Sequence, residues 1–117
     1  MIERVYGDHI EDIYNAINDI QSFIKDMSYE DFTRDRKTFL AVVKAIEIIG
    51  EAIKNIPSSV KNKYSSIPWR DISNMRNKLT HEYFGIDFKV LWDTATIYIP
   101  KLKSQIEVIK KELINEW

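Results

Sequence analysis

The sequence predicts an all-α protein, an up-and-down bundle of four to five helices in a single domain spanning residues 1–117. Three observations carry that expectation. Glycine and proline are scarce, at three each in 117 residues. The β-branched residues recur at helical rather than alternating spacing, and no Asn-Gly or Asp-Gly hairpin signal occurs. Connections between the periodic stretches are short, which favours antiparallel neighbours.

The first helix is expected from about residue 4 to 26. Ile10, Ile13, Tyr14, Ile17, Ile20 and Ile24 fall three and four apart and make one apolar stripe, with acidic side chains on the outer face. Ser28 with Asp31 three residues on reads as a capping box that opens a second segment, whose main body covers about residues 35 to 56. Its stripe is Phe39, Val42, Val43, Ile46, Ile49 and Ile53, and Gly50 falls within it. A glycine there costs roughly 1 kcal/mol in helix propensity and lets another helix come close. The proline-bracketed, serine-rich stretch IPSSVKNKYSSIP, residues 56 to 68, is the main connection, with room for one short helical turn. Pro68 suits the first turn of a third helix and Gly85 its C-terminal stop. Asp87 is the expected N-cap of a fourth helix carrying Val90, Leu91, Ile97, Leu102, Ile106, Ile109 and Leu113. Pro100 should kink that helix or divide it in two.

Composition excludes several classes of function. Hydrophobic residues at 44% and charged residues at 30% are those of a globular chain. No run approaches the roughly 18 apolar residues of a membrane span. The stretch MIERVYGDHI does not read as a signal peptide, and cysteine is absent, so a cytoplasmic protein is expected and thiolate catalysis is excluded. A net charge of −1 argues against a basic coat for nucleic acid. The charge is uneven, however: residues 1–31 hold two basic and eight acidic side chains, and residues 32–117 hold fifteen basic and ten acidic. A polyanion is expected at the second part.

The candidate chemistry lies in RNKLTHEYFG, residues 76–85. With Ile72 taken as zero and about 100° per residue, Leu79 (about −20°) and Met75 (about −60°) define the buried direction of the third helix. Arg76 (about +40°) and Tyr83 (about +20°) lie beside it, while Asn77 (about 140°) and His81 (about 180°) share the opposite side. A guanidinium at the edge of an apolar stripe must be paired or line a polar cavity. Pairing with Glu47 or Glu51 of the second helix would make Arg76 a clamp between helices. The functional reading instead needs the whole set. Arg76 and His81, with no metal-ligand cluster, suit metal-independent cleavage of an RNA phosphodiester. The guanidinium would bind the scissile phosphate and the imidazole would serve as general acid or base. Asn77 would orient the imidazole or the phosphate. A second histidine would have to come from His9 or from a second subunit. Lys61, Lys63, Arg70 and Lys78 are candidates for further phosphate contacts. The spacing alone is weak evidence, because Arg4 and His9 repeat it, with Glu11 where Tyr83 stands relative to His81.

The surroundings are more specific. KAIEIIGEAIKNIP, followed by IPWRDISNMRNKLTHEYFGID, resembles the HEPN-domain toxins of prokaryotic toxin–antitoxin pairs, specifically the HepT type, over most of the chain. The motif of that family is an arginine, four to six residues, a histidine, any residue and a tyrosine; it falls here on Arg76, His81 and Tyr83, with Asn77 as the polar residue after the arginine. The resemblance implies a HEPN-like bundle and a metal-independent endoribonuclease toxin of a type VII-like pair, acting as a homodimer whose motif helices line a shared cleft. It implies a minimal nucleotidyltransferase antitoxin that AMPylates Tyr83 and so fills the RNA phosphate site with negative charge. ATP and magnesium would then be needs of that partner, and this chain would carry no cofactor or metal of its own. Bringing Arg76 and His81 to one phosphate requires either that the helical path loosen between Leu79 and Gly85 or that Arg76 reach round the stripe. The competing reading is a non-catalytic helical dimer module that binds a nucleotidyltransferase or a nucleotide. A third is a structural partner in which Arg76 is only an ion pair.

Overall fold

The structure is a computed structural model that describes residues 2–81 and 87–116. Among them only helices and their connections occur. In order they are α1 (Ile2–Phe23), α2 (Tyr29–Arg34), α3 (Arg36–Lys54), α4 (Ser58–Lys63), α5 (Trp69–His81), α6 (Phe88–Asp93), a π turn (Thr94–Tyr98) and α7 (Ile99–Glu116). The expected all-α bundle is therefore present. α3 is its central element, packed on α1 along one side and on α5 along another, while α7 packs on α1.

The apolar stripes become the core. Ile10, Ile13, Ile17 and Ile20 of α1 meet Val42, Ile46, Ile49 and Ile53 of α3, and Leu102, Ile106 and Ile109 of α7 complete the layer, all with almost no exposed surface. Burying one such side chain contributes roughly 1.5–3 kcal/mol. Along the α1–α7 seam the Lys110 ammonium lies 3.0 Å from Glu11 and 3.8 Å from the centre of the Tyr14 ring. Tyr14 and Ile24 are half-buried at the margin of the stripe.

Helix ends follow their local chemistry. The capping box forms: the Asp31 N–H donates to Ser28 Oγ and the Ser28 N–H donates to Asp31 Oδ2. α1 stops at Phe23, short of the expected 26, and the chain turns through Asp26, which adopts φ 62°. Asp tolerates this left-handed geometry better than most residues. Asp35 caps α3 by accepting from the Thr38 N–H, and that bond holds its carboxyl below the ordinary value of 3.8. Asp87 caps α6 as expected, accepting from the Lys89 N–H at 2.7 Å. At this end of the bundle Phe32 of α2 is fully buried among Phe39, Phe88 and Trp92, with ring centroids 5.3–6.2 Å away.

The connection at 56–68 contains the short helix α4. It is pinned to α5 by the Trp69 indole, whose N–H is shared between the carbonyls of Lys61 and Tyr64. It is tied to α7 by Glu112, which accepts from the Tyr64 hydroxyl and lies 3.7 Å from Lys63 Nζ.

Pro100 divides the last helix, as its missing N–H and its ring require. The break takes the form of a π turn: the Ile99 N–H bonds Thr94 O, five residues back. Thr94 and Thr96 donate their hydroxyls to Val90 O and Trp92 O at 2.8 and 2.7 Å. Ala95 and Ile99 are buried, four and eight residues after the buried Leu91, whereas Val90 (42% exposed) and Ile97 (59%) face out.

Candidate functional site

α3 and α5 approach most closely where Gly50 meets Arg76. A Cβ at position 50 would lie 2.3 Å from Arg76 Cβ, 2.4 Å from Cγ and 3.2 Å from Cδ. The first two distances are far inside carbon–carbon contact, so the stem of Arg76 lies on bare α3 backbone. This is the close approach anticipated for Gly50. Ile72, Met75 and Leu79 turn the same side of α5 towards the bundle.

Lying along Gly50, Arg76 carries its guanidinium to the partly exposed edge of the α3–α5 seam. There Nη2 is 3.0 Å from Glu51 Oε2 and donates to it. Of the two carboxylates expected as alternatives, Glu51 is the one that pairs. The Arg76 side chain is 24% exposed and that of Glu51 56%. Such a half-exposed pair contributes at most about 1 kcal/mol to stability. Lys54 Nζ lies 4.0 Å from the same carboxylate oxygen.

Asn77 is also drawn in, since its Oδ1 accepts from Arg76 Nη1 at 3.2 Å. Sequence spacing gave no signal for this contact, because adjacent residues of a helix do not face one another. Three polar side chains, Glu51, Arg76 and Asn77, therefore form one chain of hydrogen bonds at the seam. Of the predicted site residues, the structure brings together Arg76 and Asn77.

His81 ends α5; its side chain, and the whole of Tyr83, lie outside the described residues. The loosening expected between Leu79 and Gly85 does not occur over Leu79–His81, where the helix is unbroken. The remaining part of that expectation, residues 82–85, lies outside the described residues. The cause of the regularity is visible in the packing: Leu79 is 2% exposed and anchors this last turn in the core. His9 is half-exposed on α1, which packs chiefly on α3 and α7.

The basic residues are dispersed. Lys63 belongs to the Glu112 contact and Lys78 is exposed on α5. Lys61 and Arg70 line an open pocket of about 580 Å³ at the start of α5, together with Asn62, Ser65 and Ser73. A second, more apolar groove of about 510 Å³ runs between α3, α5 and the π turn. It is lined by Ile49, Ile72, Met75, Val90, Tyr98 and Leu102, among others. Tyr98 is 64% exposed at its rim. Among the described residues no group of three or more His, Cys, Asp or Glu side chains is placed to hold a metal ion, and no helix is long and apolar enough to cross a membrane.

Comparison with known proteins places the chain in a family. Residues 13–109 match the model of the family described as "Ribonuclease HepT-like". The "Probable ribonuclease HepT" of Thermococcus cleftensis is 47% identical over 110 residues, 94% of this chain and 100% of that protein. A "Putative RNase" of Methanocaldococcus jannaschii is 43% identical over 102 residues, covering 87% of this chain and 88% of its own. Another, from Caldanaerobacter subterraneus, is 40% identical over 105 residues, covering 89% and 94%. No solved structure matches. With most of its length covered and its bundle intact, the chain belongs to the HepT-like ribonuclease family.

Proposed function

We propose that the protein is a metal-independent endoribonuclease toxin that cleaves RNA at a site shared by two copies of the chain. The observation that carries this reading is the seat of Arg76. A guanidinium is held at a partly exposed edge by defined acceptors, five residues before a histidine on the same helix, in a chain whose relatives are named ribonucleases.

Arg76 binds the scissile phosphate and stabilises the negative charge that develops on it. His81 takes the 2′-hydroxyl proton or gives a proton to the leaving 5′-oxygen. Asn77, through its bond to Arg76, helps to orient the guanidinium. Because α5 stays helical to His81, about 140° separates Arg76 and His81 around the axis of one chain. A composite site, in which two α5 helices face each other across a cleft, lets arginine and histidine meet at one phosphate and supplies a second histidine. The exposed apolar side chains Val90, Ile97 and Tyr98, beside the groove under α5, support such an association.

The toxin is neutralised by a minimal nucleotidyltransferase antitoxin that, with magnesium, transfers AMP from ATP to Tyr83: the phenolic oxygen loses its proton and bonds the α-phosphorus as pyrophosphate leaves. Each added nucleotide brings negative charge and bulk that compete with an RNA phosphate for Arg76.

The test is cleavage of RNA in EDTA by purified, unmodified protein. The expected result is cleavage that is lost in Arg76→Ala and His81→Ala variants that keep the helical circular dichroism of the parent. The Arg76–Glu51 pair also favours a second reading, in which the chain is a structural partner and Arg76 is only an ion pair between helices. In that case Arg76→Ala lowers stability, His81→Ala is harmless, and unmodified protein leaves RNA intact.

A further inference from the structure

We propose that Glu51 is a positioning residue for the ribonuclease reaction: its carboxylate fixes the plane of the Arg76 guanidinium, on a seat that exists because position 50 has no side chain. The proposal rests on the reading of Arg76 as the phosphate-binding group.

An arginine has four side-chain torsions, and a guanidinium at a surface edge ordinarily samples several orientations at an entropic cost to any ligand that must order it. Here the inner torsions are limited, because Cβ and Cγ lie against Gly50 where an added atom would come within 2.3–2.4 Å. The outer torsions are limited by two acceptors on different elements. Glu51 Oε2 of α3 takes Nη2 at 3.0 Å, and Asn77 Oδ1 of α5 takes Nη1 at 3.2 Å. One acceptor would leave the fork free to swivel about that bond; two acceptors on separate nitrogens define its plane. A guanidinium recognises phosphate through planar, directional N–H pairs, so defining the plane before the substrate arrives is preorganisation for phosphate.

Geometry and energetics separate this role from a purely structural one. Glu51 is more than half exposed, where an ion pair does little to hold two helices together. The helices are joined instead by the buried contacts of Ile49, Ile53 and Leu79. What Glu51 supplies is direction. It also carries a negative charge that an incoming phosphate must approach. An uncharged acceptor of the same shape should therefore keep the orientation and ease the approach.

The experiment measures kcat and KM for RNA cleavage in EDTA with wild type, Glu51→Ala and Glu51→Gln, alongside the ¹⁵N signals of the Arg76 Nη atoms. Glu51→Ala is expected to lower kcat on the order of tenfold to a hundredfold, as misplacement of a positioning group does. It should also average the two Nη signals by freeing rotation. Glu51→Gln keeps an amide oxygen as acceptor and is expected to keep kcat within a few-fold of wild type, with KM equal or lower and distinct Nη signals. An unchanged kcat in Glu51→Ala overturns the proposal. Equal loss in Glu51→Gln and Glu51→Ala also overturns it, since the carboxylate would then act in proton transfer itself. If wild type cleaves no RNA, the ribonuclease reading fails and the positioning role in it with it. The Nη signals still report independently whether Glu51 orients Arg76.

Discussion

Replacing Gly50 with alanine probes the closest contact between α3 and α5. The added methyl carbon would sit 2.3 and 2.4 Å from Arg76 Cβ and Cγ. Carbon atoms pack at about 3.5–4.0 Å, so relief requires a separation on the order of 1 Å. Cβ cannot swing away, because it is bonded to the α5 backbone; the helix itself must move. Overpacking of this kind costs about 1–3 kcal/mol. Alanine recovers about 1 kcal/mol of helix propensity relative to glycine. The expected net loss is about 1 kcal/mol, or about 4 °C in Tm for a chain of this size. Urea unfolding with an unchanged m-value measures it. Cleavage should fall by more than stability does, because the displaced atoms are the stem of Arg76. A double-mutant cycle with Arg76→Gly removes the three atoms nearest the methyl, and the cost of Gly50→Ala should vanish or change sign in that background. If Gly50→Ala stabilises the protein by the full propensity gain in both backgrounds, the close-approach argument is wrong.

Three further outcomes are expected. Phe32→Ala, which empties the centre of the aromatic cluster, should cost about 3–5 kcal/mol in urea unfolding, and a loss below 1 kcal/mol would show that the cluster refills the space. Asp35, with its carboxyl lowered by the Thr38 N–H, contributes stability that is fully present above its ordinary value of 3.8 and is lost as pH falls through the lower folded-state value. The gap between wild type and Asp35→Asn should therefore be widest above that value and close on acidification; a gap that widens in acid would contradict the cap. Tyr83→Phe co-expressed with a cognate nucleotidyltransferase should gain no adenylate mass, and mass gain by that variant would remove Tyr83 as the acceptor.

Much of the bundle is legible in the residues alone, because the signals are local. Isoleucines three and four apart fix the buried faces of α1 and α3 whatever they pack against. Ser28 with Asp31, and Asp87, cap helices with atoms a few residues away. Motif recognition is equally local: Arg76, Asn77, His81 and Tyr83 stand in one stretch, and their surroundings marked the family before any coordinates.

Tertiary structure decided what depends on two elements meeting. Glu47 and Glu51 are equivalent partners for Arg76 by helical spacing, and only the crossing of α3 over α5 selects Glu51. Gly50 announced a close approach but not which side chain would fill it. Pro100 announced a kink or a division of the last helix, but not the π turn at Thr94–Tyr98 that precedes it. Periodicity gives no sign of where one turn will take an extra residue. The sequence by itself thus determined the inner faces of the main helices and the family to which the chain belongs. The direction in which Arg76 points was decided only by the packing of one helix on another, because orientation is a property of the pair.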